Sequence, residues 1–366
     1  MLVRITNEPR DYAWGSTSAI PDYLGLPATG RPQAELWLGA HPAWPATADG
    51  RRLDAVLADA GLEQPRMLLK VLAAAAPLSL QAHPDADQAA AGFAREEAAG
   101  VPREAPTRTY RDPNAKPELV VAVTAFEALS GFRPVAASLR ALEALAAADE
   151  RVEPFASRVR GSLRDAVAWM LSGDVQSGSV VQGVVEAGQR LPAPFGAESD
   201  TIRRLADCSP GDPAIPIALL LHRVSLAPGE ALFLGAGNLH AYLEGLAIEL
   251  MGPSDNVVRG GLTAKHVDRE ELLRIVDLTP LDDPRLPAAV EAGVTRWTPD
   301  APFELRRLQG HHRVGRDGQA IVLARSDVRV EAGGESLTLR RGEAAYASHA
   351  LGAVVEGAEA WLALAV

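Results

Sequence analysis

Residues 78–85 read LSLQAHPD, with apolar and polar side chains in alternation. In an extended chain successive side chains point to opposite faces, so Leu78 and Leu80 share one face while Ser79, Gln81 and His83 share the other. A short strand that gives one whole face to a hydroxyl, a carboxamide and an imidazole raises the question of what that face serves. Elsewhere in residues 1–130, short apolar runs such as MLLKVLAAAAPLSLQAHP and PELVVAVTAFEALSGF, broken by Pro and Gly, predict further strands. One helix is expected among them, from about Asp85 to Ala99, opened by Pro84.

From Pro134 to about His222 the period changes. Val135, Leu139, Leu142 and Leu145 recur at helical spacing, and ASRVRGSLRDAVAWMLSG and VVQGVVEAGQRL behave alike. The stretch GDPAIPIALLLHRV starts as a helix, with Asp212 as its cap and Pro213 in its first position. These ninety or so residues have the size of a small helical domain. Strand patterning returns at Val224, and there the chain echoes itself: LAPGEALF (226–233) resembles LRRGEAAY (339–346). Both copies read as strand, Gly turn and strand, which suggests two related β-barrels. The first copy continues to a histidine in LGAGNLHAY. The second continues ASHALGAV, with His349 out of step, so chemistry carried by the first barrel is expected to be lost from the second.

Composition narrows the class. The 366 residues are 47% hydrophobic and 23% charged, as in a soluble globular protein of two or three domain-sized units. A formal net charge of −11 argues against nucleic acid or an anionic membrane as the main partner. The single cysteine, Cys208, excludes an intramolecular disulfide and a thiolate metal cluster. There is no apolar stretch of signal-peptide character at the N-terminus and no membrane-length apolar run, so a cytoplasmic protein is expected.

Four ligand-type residues then stand out: Gln81 and His83 on one strand face, Glu118 at the polar start of an apolar strand in NAKPELVV, and His240 after a Gly turn in GAGNLHAY. Two histidines and a carboxylate suit Zn²⁺ or Fe²⁺ with open positions for substrate or water. Taken singly, each competes with the plainer reading of a hydrogen-bonded core residue. His41 and His266 are weaker candidates, His311 and His312 read as an exposed turn pair, and the GAG at 235–237 lacks the helix that a nucleotide loop requires. A second set is cationic. Arg259 and Lys265 flank a Gly pair in SDNVVRGGLTAKHVD, and Lys116 lies two residues before Glu118. In an acidic protein, cations aimed into a polar pocket suit a phosphate.

Taken together, YAWGS (12–16), AELWLGAHP (34–42), PLSLQAHPD (77–85), KPEL (116–119), GEALFLGAGNLHAYLEG (229–245) and SDNVVRGGLTAK (254–265) resemble the type I phosphomannose isomerases, metal-dependent proteins of the cupin superfamily. The resemblance implies a mainly β chain of two cupin-type barrels, each a double-stranded β-helix or jelly roll, with an α-helical insert. The domains would be a discontinuous catalytic cupin of residues 1–133 and 223–295, a helical insert of 134–222 and a degenerate C-terminal cupin of 296–366. It also implies one Zn²⁺ per chain on Gln81, His83, Glu118 and His240, a substrate pocket lined by Ser79, Lys116, Tyr242, Glu249, Arg259 and Lys265, and a monomer acting in the cytoplasm.

The implied reaction interconverts mannose 6-phosphate and fructose 6-phosphate through an enediol, in carbohydrate metabolism leading to GDP-mannose. Ser79 and Lys265 would hold phosphate, Arg259 would stabilise developing charge, and Glu249 or Lys116 would move the proton. The chain departs from the family pattern at Asn238-Leu239, where Thr-Pro is usual, and at Ala115, where a histidine commonly assists ring opening. Two other classes remain open at this point: a sugar-phosphate-binding cupin without turnover, disfavoured by the intact Lys116, Glu249 and Arg259, and an Fe²⁺-dependent cupin oxygenase, disfavoured by the paired cations.

Overall fold

The computed structural model describes residues 1–366. It is mainly β, with two large sheets and a block of helices. The strands Leu68–Ala74 and Glu118–Ala122 are buried at every position, which is why they read as unbroken apolar runs. One face, with Leu69, Val71, Leu119 and Val121, packs on Trp297, Phe303, Tyr346 and Trp361 of the second sheet. The opposite face carries Lys70, Glu118 and, on a neighbouring strand, Glu249.

The strand His240–Met251 ties the first sheet together. Its first half pairs with Leu80–Ala82 and Phe126–Phe132, its second half with Leu68–Ala74 and Glu118–Ala122. Between the halves, Tyr242 pairs with Ala128 and Glu244 with Glu127, so Leu243 is an extra residue without a partner. A β-bulge of this kind reverses which residues face inward. Gly245 follows with φ 122°, and a Cβ there would lie 2.6 Å from the Ala125 carbonyl oxygen, so only glycine lets the strand pass.

Six helices between Val135 and Ala218 build their own core around Phe155, Met170 and Val184. That core continues onto Leu80, Ala82, Leu129 and Ala241, the outward residues of the first sheet. Leu80 and Ala82 therefore face the helices, while Ser79 and Gln81 face the other way. The helix after LSLQAHP spans Ala86–Ala98. Asp85 is its N-cap: its carboxylate accepts from Gln88 N and its own N–H donates to Gln88 Oε1, so Pro84 lies one residue before the cap. Asp212 does accept from Ala214 N, but the helix it opens is only Ala214–Ala218. The run that follows turns into the strand Leu221–Leu226, three residues earlier than the polar pattern suggested.

Both copies of the echoed motif form strand, left-handed Gly and strand: Leu221–Leu226, Gly229 and Ala231–Leu234, then Glu335–Leu339, Gly342 and Ala344–Ala347. The second sheet also contains Leu2–Ile5, paired with Ala344–Ala347 in the register Leu2↔Ala347. Val294–Trp297 belongs to this sheet as well, so position 296 falls inside a strand. No helix is long and apolar enough to cross a membrane.

Candidate metal centre and active site

Cross-strand register assembles the site. Arg259 lies opposite Gln81, Gln81 opposite His240, and His240 opposite Ser130, so one row of side chains crosses four strands. A second row on the other half of the sheet sets Trp37 beside Lys70, Lys70 beside Glu249, and Glu249 beside Val120. Tyr242 and Glu249 are seven residues apart and would point to opposite faces of a regular strand. The extra Leu243 puts them on the same face, and the Tyr242 hydroxyl donates to Glu249 Oε1 at 2.8 Å.

At the floor, ligand atoms of His83, Glu118 and His240 lie within 4.8 Å of one another, all three side chains buried. His83 Nε2 is 3.3 Å from Glu118 Oε1, and His240 Nε2 is 3.5 Å from Glu118 Oε2. His83 Nδ1 meets the Asn256 carbonyl and His240 Nδ1 the Asn238 carbonyl, each at 2.9 Å. A carbonyl only accepts, so both protons sit on Nδ1 and both Nε2 lone pairs face Glu118. His83 Nε2 and Glu118 Oε2 are buried without a hydrogen-bond partner. Two buried acceptors left without donors in one cluster fit a cation. Burial lowers the His83 pKa to about 4, against the pull of Glu118, so the ring is neutral, the form in which an imidazole can bind a metal. Burial would raise the Glu118 carboxyl, yet Lys116, 3.1 Å from Oε1, and the two imidazoles hold it well below the carboxylate range.

Gln81 stands at the edge of this cluster. Its Oε1 accepts from the Ser79 hydroxyl at 3.1 Å and its Nε2 is 3.4 Å from His240 Nε2. A half-turn of the carboxamide exchanges the two atoms and offers Oε1 to the cluster.

Above the floor opens a cavity of about 800 Å³ lined by Ser79, Gln81, Lys116, Glu118, Tyr242, Glu249, Arg259 and Lys265. His83 and His240 lie beneath its surface. Ala115 does not line it. Arg111 joins Arg259 and Lys265 there, and none of the three is ion-paired. Burial and Arg111 lower the Arg259 pKa, and burial, Arg259 and Arg111 lower that of Lys265.

Sequence reasoning missed Lys70, Glu35, Arg111 and Asn256. Lys70 Nζ is 3.0 Å from Glu249 Oε2 and 3.4 Å from Glu35 Oε1, over the Trp37 ring at 4.9 Å. Its signal was a lone charge inside MLLKVLAAAA. Burial pushes the Glu249 carboxyl up while Lys70 pulls it down, with the net shift upward. His41 is buried with Nε2 3.5 Å from Asp255, away from the cluster, and His266 lines the cavity. His311 and His312 sit on the strand Phe303–Arg313, not in a turn, because the bulge at Gly310 lets that strand continue past them. His349 is exposed near Asp317.

The model of the type I phosphomannose isomerase catalytic domain matches residues 2–135. Mannose-6-phosphate isomerase of Salmonella typhimurium (strain LT2) is 35% identical over 371 residues, covering 94% of each chain. Mannose-6-phosphate isomerase 1 of Arabidopsis thaliana is 31% identical over 348 residues, covering 83% of this chain and 77% of the relative. A crystal structure of mannose 6-phosphate isomerase bound with zinc and yttrium superposes with a TM-score of 0.88 at 29% identity, covering 100% of this chain and 99% of the other.

Proposed function

This chain belongs to the type I phosphomannose isomerases, and from that premise we propose how its own residues divide the work. The activity is the zinc-dependent interconversion of mannose 6-phosphate and fructose 6-phosphate. The observation that carries the site assignment is the buried His83–Glu118–His240 cluster, with its orphaned Nε2 and Oε2, under a cavity holding three unpaired cations.

Gln81, His83, Glu118 and His240 would hold the zinc, Gln81 after the half-turn of its amide, and a zinc held there would supply fixed positive charge next to the reacting oxygens. Arg259, beside Gln81 in register, adds a second positive charge to the same region. Lys265 and Ser79 hold the phosphate, with Arg111 beside them, and this remote contact positions the reacting carbons. From aldose to ketose, the C2 proton leaves to a base, C1 gains a proton and the hydroxyl proton passes from O2 to O1. Glu249 is the base: it lines the cavity, burial raises its pKa above the ordinary carboxylate value, and Tyr242 and Lys70 fix both its oxygens. Lys116 is engaged with Glu118 and tunes that ligand's charge.

The two sheets are read as cupin barrels, the first catalytic and the second without a ligand cluster, and the helices as an inserted domain. An unpaired Cys208 suits the cytoplasm. Purified protein with Zn²⁺ and mannose 6-phosphate should form fructose 6-phosphate, and chelation should stop it. No product with zinc present would overturn the reading.

A further inference from the structure

Asn256 is fully buried, and its two ends do different things. Its carbonyl accepts the Nδ1 proton of His83 at 2.9 Å. Its side chain reaches the loop that leads into Lys116 and Glu118. Oδ1 accepts from Arg111 N at 2.8 Å, and Nδ2 donates to the carbonyls of Asp112 at 2.7 Å and Asn114 at 2.9 Å. The loop answers in kind: Asp112 Oδ2 accepts from Asp255 N at 3.0 Å and from the Ser254 hydroxyl at 3.1 Å. Residues 254–256 and 111–114 are thus clasped from both sides.

From this geometry we infer that Asn256 is a positioning residue that couples metal retention to substrate binding: one residue fixes the ring of His83 and the loop carrying Arg111. The inference rests on the ligand set proposed above. The physical case is that a histidine ligand depends on the acceptor behind its other nitrogen, and loss of such partners weakens metal binding. If the Asn256 side chain is removed, its carbonyl survives but is no longer held, and Arg111 loses the backbone anchor that places it beside Arg259 and Lys265.

The test is Asn256→Ala, with zinc release from the holoenzyme followed by a chromogenic chelator, KM and kcat measured separately, and circular dichroism to check the fold. Zinc affinity should fall about ten- to a hundredfold, within the range for outer-shell partners, and KM should rise in the same variant. Tyr110→Phe is the control. It cuts a hydrogen bond to Glu271 on the far side of the same loop, touches neither His83 nor its acceptor, and should release zinc at the wild-type rate. Should Asn256→Ala fail to fold, Asp112→Asn replaces one of the two carboxylate acceptors and should shift zinc release and KM in the same directions. A folded Asn256→Ala or Asp112→Asn protein with unchanged zinc release and KM would overturn the inference. His83→Ala separates the two levels. If it too keeps zinc, the ligand set is wrong. If it loses zinc while Asn256→Ala keeps it, only the coupling fails.

Discussion

Lys70 is the only cation within ion-pairing distance of either Glu249 or Glu35, and all three side chains are nearly sealed from water. Lys70→Met keeps the length of the stem and removes the charge, leaving Glu249 and Glu35 unpaired in the interior. Breaking a buried pair by removing one partner costs about 3–5 kcal/mol. At about 2–4 °C per kcal/mol, the apparent Tm should drop by roughly 6–20 °C. The drop should depend on pH. Burial already holds the Glu249 carboxyl above its ordinary range, and without Lys70 it must rise further. An acid whose folded pKa is raised contributes most below its unfolded pKa, and that contribution is lost as pH climbs through the folded value, at about 1.4 kcal/mol per pH unit within the window. The variant's deficit against wild type should therefore be smaller at about pH 5.5 than at about pH 8. Scanning fluorimetry on zinc-loaded proteins at both pH values measures the difference, and effects of pH on the metal site common to both proteins cancel. Equal deficits at the two pH values, or a loss under about 1 °C, would refute the reasoning, since Lys70 would then not be neutralising buried carboxylates.

Further outcomes follow from the site. Chelation should abolish turnover, and His83→Ala or His240→Ala should lose zinc by metal analysis while His41→Ala keeps it. Lys265→Ala should raise KM by about tenfold, the low end for a charge-assisted contact because the side chain is only partly desolvated at the cavity wall and keeps contact with water, whereas Arg259→Ala should fall mainly on kcat. Ala115→His should change kcat/KM by less than about tenfold, because position 115 lies outside the cavity lining; steady-state kinetics on both proteins checks it, and a gain of about a hundredfold would mark the natural chain as impaired in ring opening.

What the sequence reveals of this site follows from how local each relation is. The faces of Ser79–Gln81 and Lys116–Glu118 are legible because two residues of extended chain suffice, and both pairs touch in the structure. Tyr242 and Glu249 are not legible in that way. Period two separates them, and only the pairing partner reveals that Leu243 is surplus. Asn256 is an ordinary polar residue until the loop at Asp112 is brought against it, across more than a hundred positions. Helix ends erred by a residue where Asp85 took the cap, and by more where IALLLHRV changes from helix to strand without a change in apolar character.

The pairing of Leu2–Ile5 with Ala344–Ala347 has a consequence for biogenesis. This strand is one of the last to find its place, because its partner is synthesised about 340 residues later. During translation that segment must wait unpaired while the helices and the first sheet form around their more local contacts, since long-range strand pairing is the slow step. Its edge groups are meanwhile open to other chains. A bulky fusion placed just ahead of Leu2 would therefore disturb the second sheet rather than the sheet that follows it in sequence, and a ribosome-stalled chain ending before residue 344 should leave the Leu2–Ile5 strand open to protease.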